Sequence, residues 1–290
     1  MAHEIVPAAE EILDQAFPVL DHGFVRLVDY CGGDQRIVQA ARVSYGAGTK
    51  SYRQDRGLIH YLYRNLHTSP FEQVSLTFHA KMPIFVARQW VRHRTARLNE
   101  ISGRYSVMKD EFYQPRGDVI APQAQDNKQG RSAQGFSEEE QQEIQEALAR
   151  EQGRSYQAYQ DLLSQDVARE LARINLPLST YTEWYWQIDL HNLFHFLALR
   201  LDSHAQYEIR AYAEVLLDLT SRVCPLATEA FREHRLGGVR FSGSEFAALR
   251  ALLDEAAVTP GQLQEAAGKV GLEGRDAERF VEKVQKGIMR

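Results

Sequence analysis

The sequence predicts an α+β fold, with a central, mostly antiparallel sheet flanked by long helices and a C-terminal set of short helices. Two observations support this prediction. Few segments of the 290 residues have the alternation or the β-branched and aromatic composition of strands, whereas many repeat apolar residues at helical spacing. The strands and helices do not alternate regularly, and no Gly-x-Gly-x-x-Gly follows a predicted strand. A regular βαβ array with a Rossmann nucleotide site therefore has no support.

The first predicted strand is Gly23–Tyr30. The segment 35–66 has a helical apolar rhythm. Three residues divide it into two helices: Gly46, Gly48 and Ser51. After a turn at residues 67–71, residues 74–80 alternate apolar and polar side chains, which predicts a second, half-buried strand.

A helix is predicted next, because Pro83 suits the first turn of a helix that runs from Ile84 to about Thr95. On that helix Arg88 and Arg92 are four residues apart and share a face. Residues 105–113 are predicted to be extended.

The second half of the chain is predicted to be mainly helical. Residues 114–136 form a long loop rich in Gln, Gly and Asp. Ser137 and Glu140 have the pattern of a capping box, which starts a helix running towards Leu163. Residues 180–188 are aromatic and β-branched, and this composition predicts a third strand. The other predicted helices span about 167–174, 190–201 and 204–234, the last broken near Pro225.

The character of the sequence changes after residue 237, where glycines separate short amphipathic segments. Thr259 followed by Pro260 is a helix cap with a proline at the first helical position. We therefore expect a catalytic domain over residues 1–237, with the loop insertion 114–136, and an appended set of short helices over residues 238–290.

The composition is that of an ordinary globular protein, with a formal net charge of -5. The negative balance argues against non-specific nucleic-acid binding, and no apolar run approaches the roughly 20 residues that span a bilayer. The two cysteines, Cys31 and Cys224, do not make a disulfide framework. With no secretory signal in view, we expect a cytoplasmic protein without a membrane or nucleic-acid partner.

A cationic cluster lies between Arg92 and Tyr105, where four arginines and one histidine surround a single carboxylate. Cations near a helix end are mildly stabilising, so a solvated helix terminus is one interpretation. The Ser102-Gly103-Arg104 sequence that closes the cluster favours a phosphate cradle. Arginine binds phosphate through a forked pair of N–H groups, serine donates a hydroxyl, and glycine permits close backbone approach.

The spacing Arg92-His93-Arg94, seven residues, then Ser102 resembles the signature motif of the flavin-dependent thymidylate synthases. Four further blocks are similar to that family and occur in its order, over roughly residues 60–210. They are His67-Thr-Ser-Pro-Phe-Glu, Phe85-Val-Ala-Arg-Gln-Trp, Ala172-Arg173-Ile-Asn-Leu-Pro-Leu and Leu199-Arg200-Leu-Asp-Ser-His-Ala-Gln. A chance match of all the blocks in order is very improbable.

The resemblance implies two sets of binding residues. The implied dUMP contacts are Gln89, Trp90, Val91, Arg92, Glu100, Ile101, Ser102, Gly103, Arg104, Arg173 and Arg200. The implied FAD contacts are Ser69, Arg92, His93, Arg94, Glu100, Asp189, Leu190, His191 and His195. At two of these positions, His191 and His195, some members of the family carry Arg and Asn. The resemblance also implies a homotetramer whose active sites combine residues of different subunits.

The activity that the resemblance implies is the reductive methylation of dUMP to dTMP. Methylenetetrahydrofolate supplies the carbon, NADPH reduces the flavin, and the flavin passes a hydride to the uracil ring. Negative charge then accumulates at N3, O2 and O4 of uracil, and an arginine against that edge stabilises it without exchanging a proton. We predict that Arg200 is this catalytic residue.

Several alternatives stay open at this point. Ser102 could act as a nucleophile, but no base is fixed beside it, so a substrate-positioning hydroxyl is favoured. Neither cysteine has the context of a positioned thiolate. His67 and His204 could contact flavin or folate, and no metal is expected. The rival functions are another flavin- or nucleotide-binding enzyme and a nucleic-acid-binding module that uses the arginine cluster.

Overall fold

The computed structural model describes residues 4–43, 52–125 and 130–286. The chain divides into two compact units, Met1–Gly237 and Gly238–Arg290. The first unit contains the sheet and the described helices that pack on it, and the second unit contains short helices. No helix in the described part of the chain is both long and apolar enough to cross a membrane.

The first unit is built on a five-stranded sheet in the order β1-β2-β3-β5-β4. Every neighbouring pair is antiparallel. The strands are β1 Ala16–Val19, β2 Gly23–Cys31, β3 Ser75–Pro83, β4 Arg97–Glu100 and β5 Tyr181–Asp189. The antiparallel sheet confirms the predicted fold class and three predicted strands.

The first unit has nine described α-helices. They are α1 Pro7–Glu10, α2 Asp34–Arg42, α3 Tyr52–Arg64, α4 Ile84–Trp90, α5 Glu138–Ser164, α6 Arg169–Ala172, α7 Leu190–Arg200, α8 Tyr207–Val223 and α9 Pro225–Phe231. A single π-helical turn, Arg232–Leu236, follows α9. Ser137 caps α5 through the predicted capping box, and the predicted break falls between α8 and α9 at Cys224.

The core lies on one face of the sheet, because alternate residues of β3 and β5 point into it. Phe78 pairs with Trp186 across these strands, and both side chains are buried. Helix α8 lies over β1 and β2, and α7 packs against β5. The aromatic strand Trp184-Tyr185-Trp186 thus supplies core residues at alternate positions, as its spacing predicts.

Three expectations about the elements need correction. The helix predicted over Ile84 to Thr95 ends at Trp90, so Arg92 lies beyond it and does not share a helical face with Arg88. Residues 105–113 pair only through a single bridge, from Phe112 to Thr180. The strand β4 has no counterpart in the prediction. The predicted break between α2 and α3, at Gly46, Gly48 and Ser51, lies outside the described residues.

The second unit contains the helices α10 Gly243–Glu255, α11 Pro260–Lys269 and α12 Gly274–Lys286. Ser242 and Thr259 cap α10 and α11 through capping boxes. Gly271 and Gly274 adopt positive φ angles of 80° and 51° in the connection to α12, a conformation that glycine accommodates without a steric penalty. This unit is the predicted C-terminal set of short helices.

Candidate active site

The C-terminal end of α4 is held in place by Trp90. Its side chain is fully buried, and its ring lies 5.2 Å from that of Trp186 and 5.1 Å from that of Phe196. Trp90 was expected to contact dUMP. Because its side chain belongs to the core, any contact with a ligand is limited to its backbone, and its main role here is to anchor the residues on either side.

Arg200, the last residue of α7, meets the end of α4. Its Nη2 donates to the carbonyl oxygen of Gln89 over 3.0 Å, and its Nε donates to Nε2 of His93 over 3.1 Å. The guanidinium is half-buried. Two of its five N–H groups have partners in the described part of the chain, which leaves three for an anionic or carbonyl ligand.

The same contact caps the end of α4. In a continuing helix the carbonyl of Gln89 would accept from the backbone N–H of His93, four residues later. Here the N–H of His93 donates instead to the carbonyl of Trp90 over 3.0 Å, and Arg200 donates to the Gln89 carbonyl that the end of the helix leaves open. The signature triplet 92–94 therefore leaves the helix and enters a loop that leads to β4.

His93 is held as a neutral ring. Burial, the neighbouring charge of Arg200 and the proximity of His195 lower the pKa of His93 to about 4. Because Nε2 accepts from Arg200, the ring proton is on Nδ1. The ring also contacts Phe196 edge-on, with 4.7 Å between centroids. His93 is thus a fixed acceptor that orients Arg200.

The signature loop is tied to the sheet through β4. The carboxylate of Glu100 accepts from the hydroxyl of Thr182 over 2.6 Å, and the backbone N–H of Ile101 donates to the carbonyl of Glu183 over 2.9 Å. All four residues of β4 are exposed. Glu100 and Ile101 are therefore positioned at the sheet edge and remain accessible to a ligand.

Gly103 brings the loop against Arg173. A Cβ at this position would lie 3.0 Å from Sδ of Met108 and 3.1 Å from both Cδ and Nη1 of Arg173. Such distances are too short for an ordinary side chain without movement of the neighbours. Glycine permits this close packing, with the Arg173 guanidinium beside the Ser-Gly-Arg turn.

Two further residues of the loop have partners within the chain. The guanidinium of Arg104 donates to Glu170 over 2.9 Å, in an exposed ion pair. The Ser102 hydroxyl accepts from the backbone N–H of Arg104 over 3.3 Å. Arg92 and Arg94 are exposed. The loop thus presents several cations to solvent, as a phosphate cradle requires.

The expected flavin contacts at the start of α7 have different roles. Asp189 caps the helix, and its carboxylate accepts from the backbone N–H of Asn192 over 2.9 Å. Leu190 is fully buried, and its N–H donates to the carbonyl of Val74, so its side chain is unavailable to a cofactor. His191 and His195 are four residues apart on the same helical face, and neither is buried.

Ser69 lies in the turn before β3. The short 3-10 helix that follows it, Phe71–Gln73, packs against α7. It lines a surface cavity of about 400 Å³. The other lining residues are Arg36, Gln39, Ala40, Val43, Pro70 and Gln73. Arg36 and the amide side chains give this cavity a polar wall.

The remaining candidates lie apart from this arrangement. Burial raises the pKa of the Cys224 thiol, which disfavours a thiolate. His204 pairs with Asp202 in an exposed contact of 2.9 Å. The histidine that contacts Arg200 is His93, not His204. The ring of His67 packs edge-on against Tyr61. Among residues 4–43, 52–125 and 130–286, no group of three or more His, Cys, Asp or Glu side chains is arranged to hold a metal ion.

Sequence reasoning assigned no role to two polar residues next to this site, Gln206 and Glu208. Glu208 is a buried carboxylate, and Gln206 receives a hydrogen bond from the side chain of Gln89. Gln206 closes the block that begins at Leu199, but its partner Gln89 lies 117 positions away, so the sequence does not indicate this contact. The available signal is a charged residue, Glu208, within the apolar face of a helix.

Comparison with known proteins identifies the family. Residues 26–226 match the family described as thymidylate synthase complementing protein, and residues 239–290 match the thymidylate synthase ThyX C-terminal domain. A flavin-dependent thymidylate synthase of Treponema pallidum is 57% identical over 290 residues, which is 100% of this chain and 91% of the relative. The chain belongs to the flavin-dependent thymidylate synthase family. The predicted family is thereby confirmed, as are the expectations of an enzyme and of a flavoprotein.

Other members of the family are comparably similar. The flavin-dependent thymidylate synthase of Treponema denticola is 59% identical over 276 residues, covering 95% of this chain and 99% of the relative. Among solved structures, the UMP/dUMP methylase PolB from Streptomyces cacaoi bound with 5-Br dUMP matches with a TM-score of 0.69. That match has 35% identity and covers 76% of this chain and 98% of PolB.

Proposed function

We propose that this flavin-dependent thymidylate synthase family member converts dUMP to dTMP by reductive methylation. Methylenetetrahydrofolate would supply the carbon, and NADPH would reduce the bound FAD. One observation carries the proposal beyond the family name. The guanidinium of Arg200 is fixed by His93 and by the carbonyl of Gln89, and three of its N–H groups remain for a ligand.

The proposed role of Arg200 is to bind the polar edge of uracil. Negative charge builds on N3, O2 and O4 when C5 becomes nucleophilic, and a pre-oriented cation in a half-buried site stabilises that charge. Because a guanidinium does not give up its proton at neutral pH, this stabilisation needs no proton transfer. The neutral ring of His93 keeps the side chain in place without adding a competing charge.

The proposed phosphate site is the signature loop. Arg92, Arg104 and Arg173 supply guanidinium groups, and Gly103 lets the backbone approach closely. The Ser102 hydroxyl completes the donor set as a positioning group. Val91, Glu100 and Ile101 would contact the nucleotide from the ends of α4 and β4.

The hydrogen-bond donors present at the proposed flavin site fit FAD. Arg92, Arg94, His191 and His195 are accessible cations or imidazoles, and such a set suits the pyrophosphate of FAD. His93 would contribute its Nδ1–H, and Ser69 its hydroxyl. When bound, FAD would supply the two-electron chemistry that the side chains of this site lack.

We also propose a cytoplasmic homotetramer with active sites at subunit interfaces, residues 1–237 being catalytic and residues 238–290 an appended extension. The exposed edge strand β4 supports shared sites. Leu98 is 38% exposed, and Ile101 and Tyr185 beside it are 41% and 45% exposed. A partner subunit on this edge would cover apolar surface next to the signature loop.

The proposal is tested by dTMP formation with the purified protein, dUMP, methylenetetrahydrofolate, NADPH and FAD. Each component is omitted in a parallel reaction, and UMP replaces dUMP in another. We expect product only in the complete dUMP mixture. If the protein binds flavin but forms no dTMP, it catalyses a different flavin-dependent reaction. If it neither binds flavin nor forms dTMP, the proposal is contradicted altogether.

A further inference from the structure

Glu208 is a buried carboxylate at the start of α8 that the proposed reaction does not use. It is 1% exposed and accepts three hydrogen bonds. One oxygen accepts from Nη2 of Arg131 over 2.5 Å and from the hydroxyl of Tyr113 over 3.0 Å. The other accepts from Nε2 of Gln206 over 2.8 Å. Because a carboxylate accepts hydrogen bonds and does not donate them, Glu208 fixes which side of a neighbouring amide group faces it.

This constraint fixes the orientation of the Gln206 amide and, through it, that of the Gln89 amide. A carboxylate only accepts, so Gln206 must present its NH₂ group to Glu208. Its amide oxygen is then left facing Gln89, and it accepts from Nε2 of Gln89. The amide of Gln89 therefore has its nitrogen bound to Gln206 and its oxygen, Oε1, left for another donor.

Gln89 is at the proposed substrate site, since its own carbonyl oxygen accepts from Arg200. On dUMP, the phosphate and both carbonyl oxygens only accept hydrogen bonds. The only donors are N3–H of the uracil ring and the 3′-hydroxyl of the sugar. A free Oε1 complements one of these donors and cannot bind the phosphate.

We propose that Glu208 and Gln206 are positioning residues that set the amide orientation of Gln89, so that Gln89 recognises a hydrogen-bond donor of the nucleotide. The proposal rests on the proposed function, because it takes dUMP as the ligand. Arg131, from the predicted loop insertion, completes the arrangement by its bond to Glu208.

The test measures the affinity of FAD-loaded enzyme for three ligands by calorimetry: dUMP, N3-methyl-dUMP and 2′,3′-dideoxy-UMP. In the wild type, one of the two modified ligands should lose the bond to Oε1, at a cost of about tenfold in affinity. In Glu208→Gln, the new side-chain amide can donate a hydrogen bond to Gln206. The amide groups of Gln206 and Gln89 can then both rotate by 180°. The affinity for dUMP should then fall about tenfold, and the penalty for that modified ligand should largely disappear.

Gln206→Met provides a second variant, because the Gln206 side chain is exposed and its loss leaves Arg131 and Tyr113 on Glu208. It should reduce the same ligand penalty. Gln142→Met, at an exposed glutamine on α5, is the matched control and should behave as wild type. FAD content and the melting temperature establish that each variant is folded.

Two results would contradict the proposal, and they are distinguishable. If dUMP binds and both ligand penalties are the same in wild type, Glu208→Gln and Gln206→Met, the amide orientation of Gln89 does not depend on these residues. If the wild type does not bind dUMP, the proposed function fails together with this inference.

Discussion

Arg200 and His93 form a hydrogen bond of 3.1 Å in which Nε of the guanidinium donates to Nε2 of the imidazole. The bond joins the C-terminal end of α7 to the loop after α4, across 107 positions of sequence. It requires a neutral histidine, and the pKa of His93 is lowered to about 4 by burial, by Arg200 and by His195. The orientation of Arg200 is therefore independent of pH over the neutral range.

The first prediction concerns His93 as an acceptor. His93→Leu removes the bond that orients Arg200, and we expect kcat for dTMP formation to fall about tenfold at saturating FAD. His93→Gln keeps an acceptor oxygen and should remain within about threefold of wild type. Equal losses in the two variants would show that hydrogen bonding to Arg200 is not what His93 contributes.

Gly103→Ala should weaken nucleotide binding by moving Arg173. The new methyl group would lie 3.1 Å from Cδ and Nη1 of that arginine, which must shift. We expect the Kd for dUMP, measured by calorimetry, to rise about tenfold as one charge-assisted contact is lost. Gly57→Ala is the control, since no atom lies within 4 Å of its added Cβ. An unchanged Kd in Gly103→Ala would remove Arg173 from the phosphate site.

Glu170 competes with the nucleotide for Arg104. The exposed pair of 2.9 Å engages only Nε of Arg104, but it holds a carboxylate beside the proposed phosphate site, where its negative charge opposes that of the phosphate. Glu170→Gln should therefore tighten dUMP binding, by at most about fivefold because exposed pairs contribute about 0–1 kcal/mol. The control is Glu151→Gln, which breaks an exposed pair with Arg154 on α5. Weaker dUMP binding in Glu170→Gln would mean that the ion pair holds Arg104 ready for the phosphate.

Asp34 makes the stability of the fold depend on pH. Its carboxylate accepts from the backbone N–H groups of Leu226 and Ala227, but burial outweighs these bonds and raises its pKa to about 6. Between about pH 4, its unfolded value, and pH 6, the folded protein binds more protons than the unfolded chain. This residue's contribution to the free energy of unfolding therefore falls as pH rises through that window.

Asp34→Asn removes that contribution. The free energy of unfolding of the variant minus that of the wild type, measured with urea, should become more positive from pH 4.5 to pH 7. Asp218→Asn, at an exposed carboxylate on α8, is the matched control. A difference for Asp34→Asn that stays constant or declines with pH would contradict the assignment.

Much of the fold was predictable because its signals are local. The alternation in β3, the aromatic pattern of β5 and the capping box at Ser137 each depend on a few neighbouring residues. Strand β4 has no such signal, since all four of its residues are exposed and it forms by pairing with β5. The cap on the end of α4 likewise comes from a distant residue, because Arg200 is 111 positions away from Gln89.

In the candidate site, too, local motifs were predictable and contacts between distant segments were not. The signature triplet and Arg200 were identified from the sequence as members of one site, because their blocks resemble those of the family. The contacts that orient them were not, because Arg200 with His93 and Glu208 with Arg131 join distant segments. Trp90 lies within a family-like block and Leu190 is among the implied flavin contacts, and only their burial shows that their side chains serve the core.

The most direct test of the account is a single turnover with the flavin reduced beforehand, comparing wild type with Arg200→Ala. The enzyme is mixed with dUMP and methylenetetrahydrofolate, and dTMP is counted per flavin. We expect nearly one dTMP per flavin from the wild type and a rate about 10²–10³ lower in Arg200→Ala, with flavin still bound. Equal rates in the two proteins, or no dTMP from the wild type, would contradict the account.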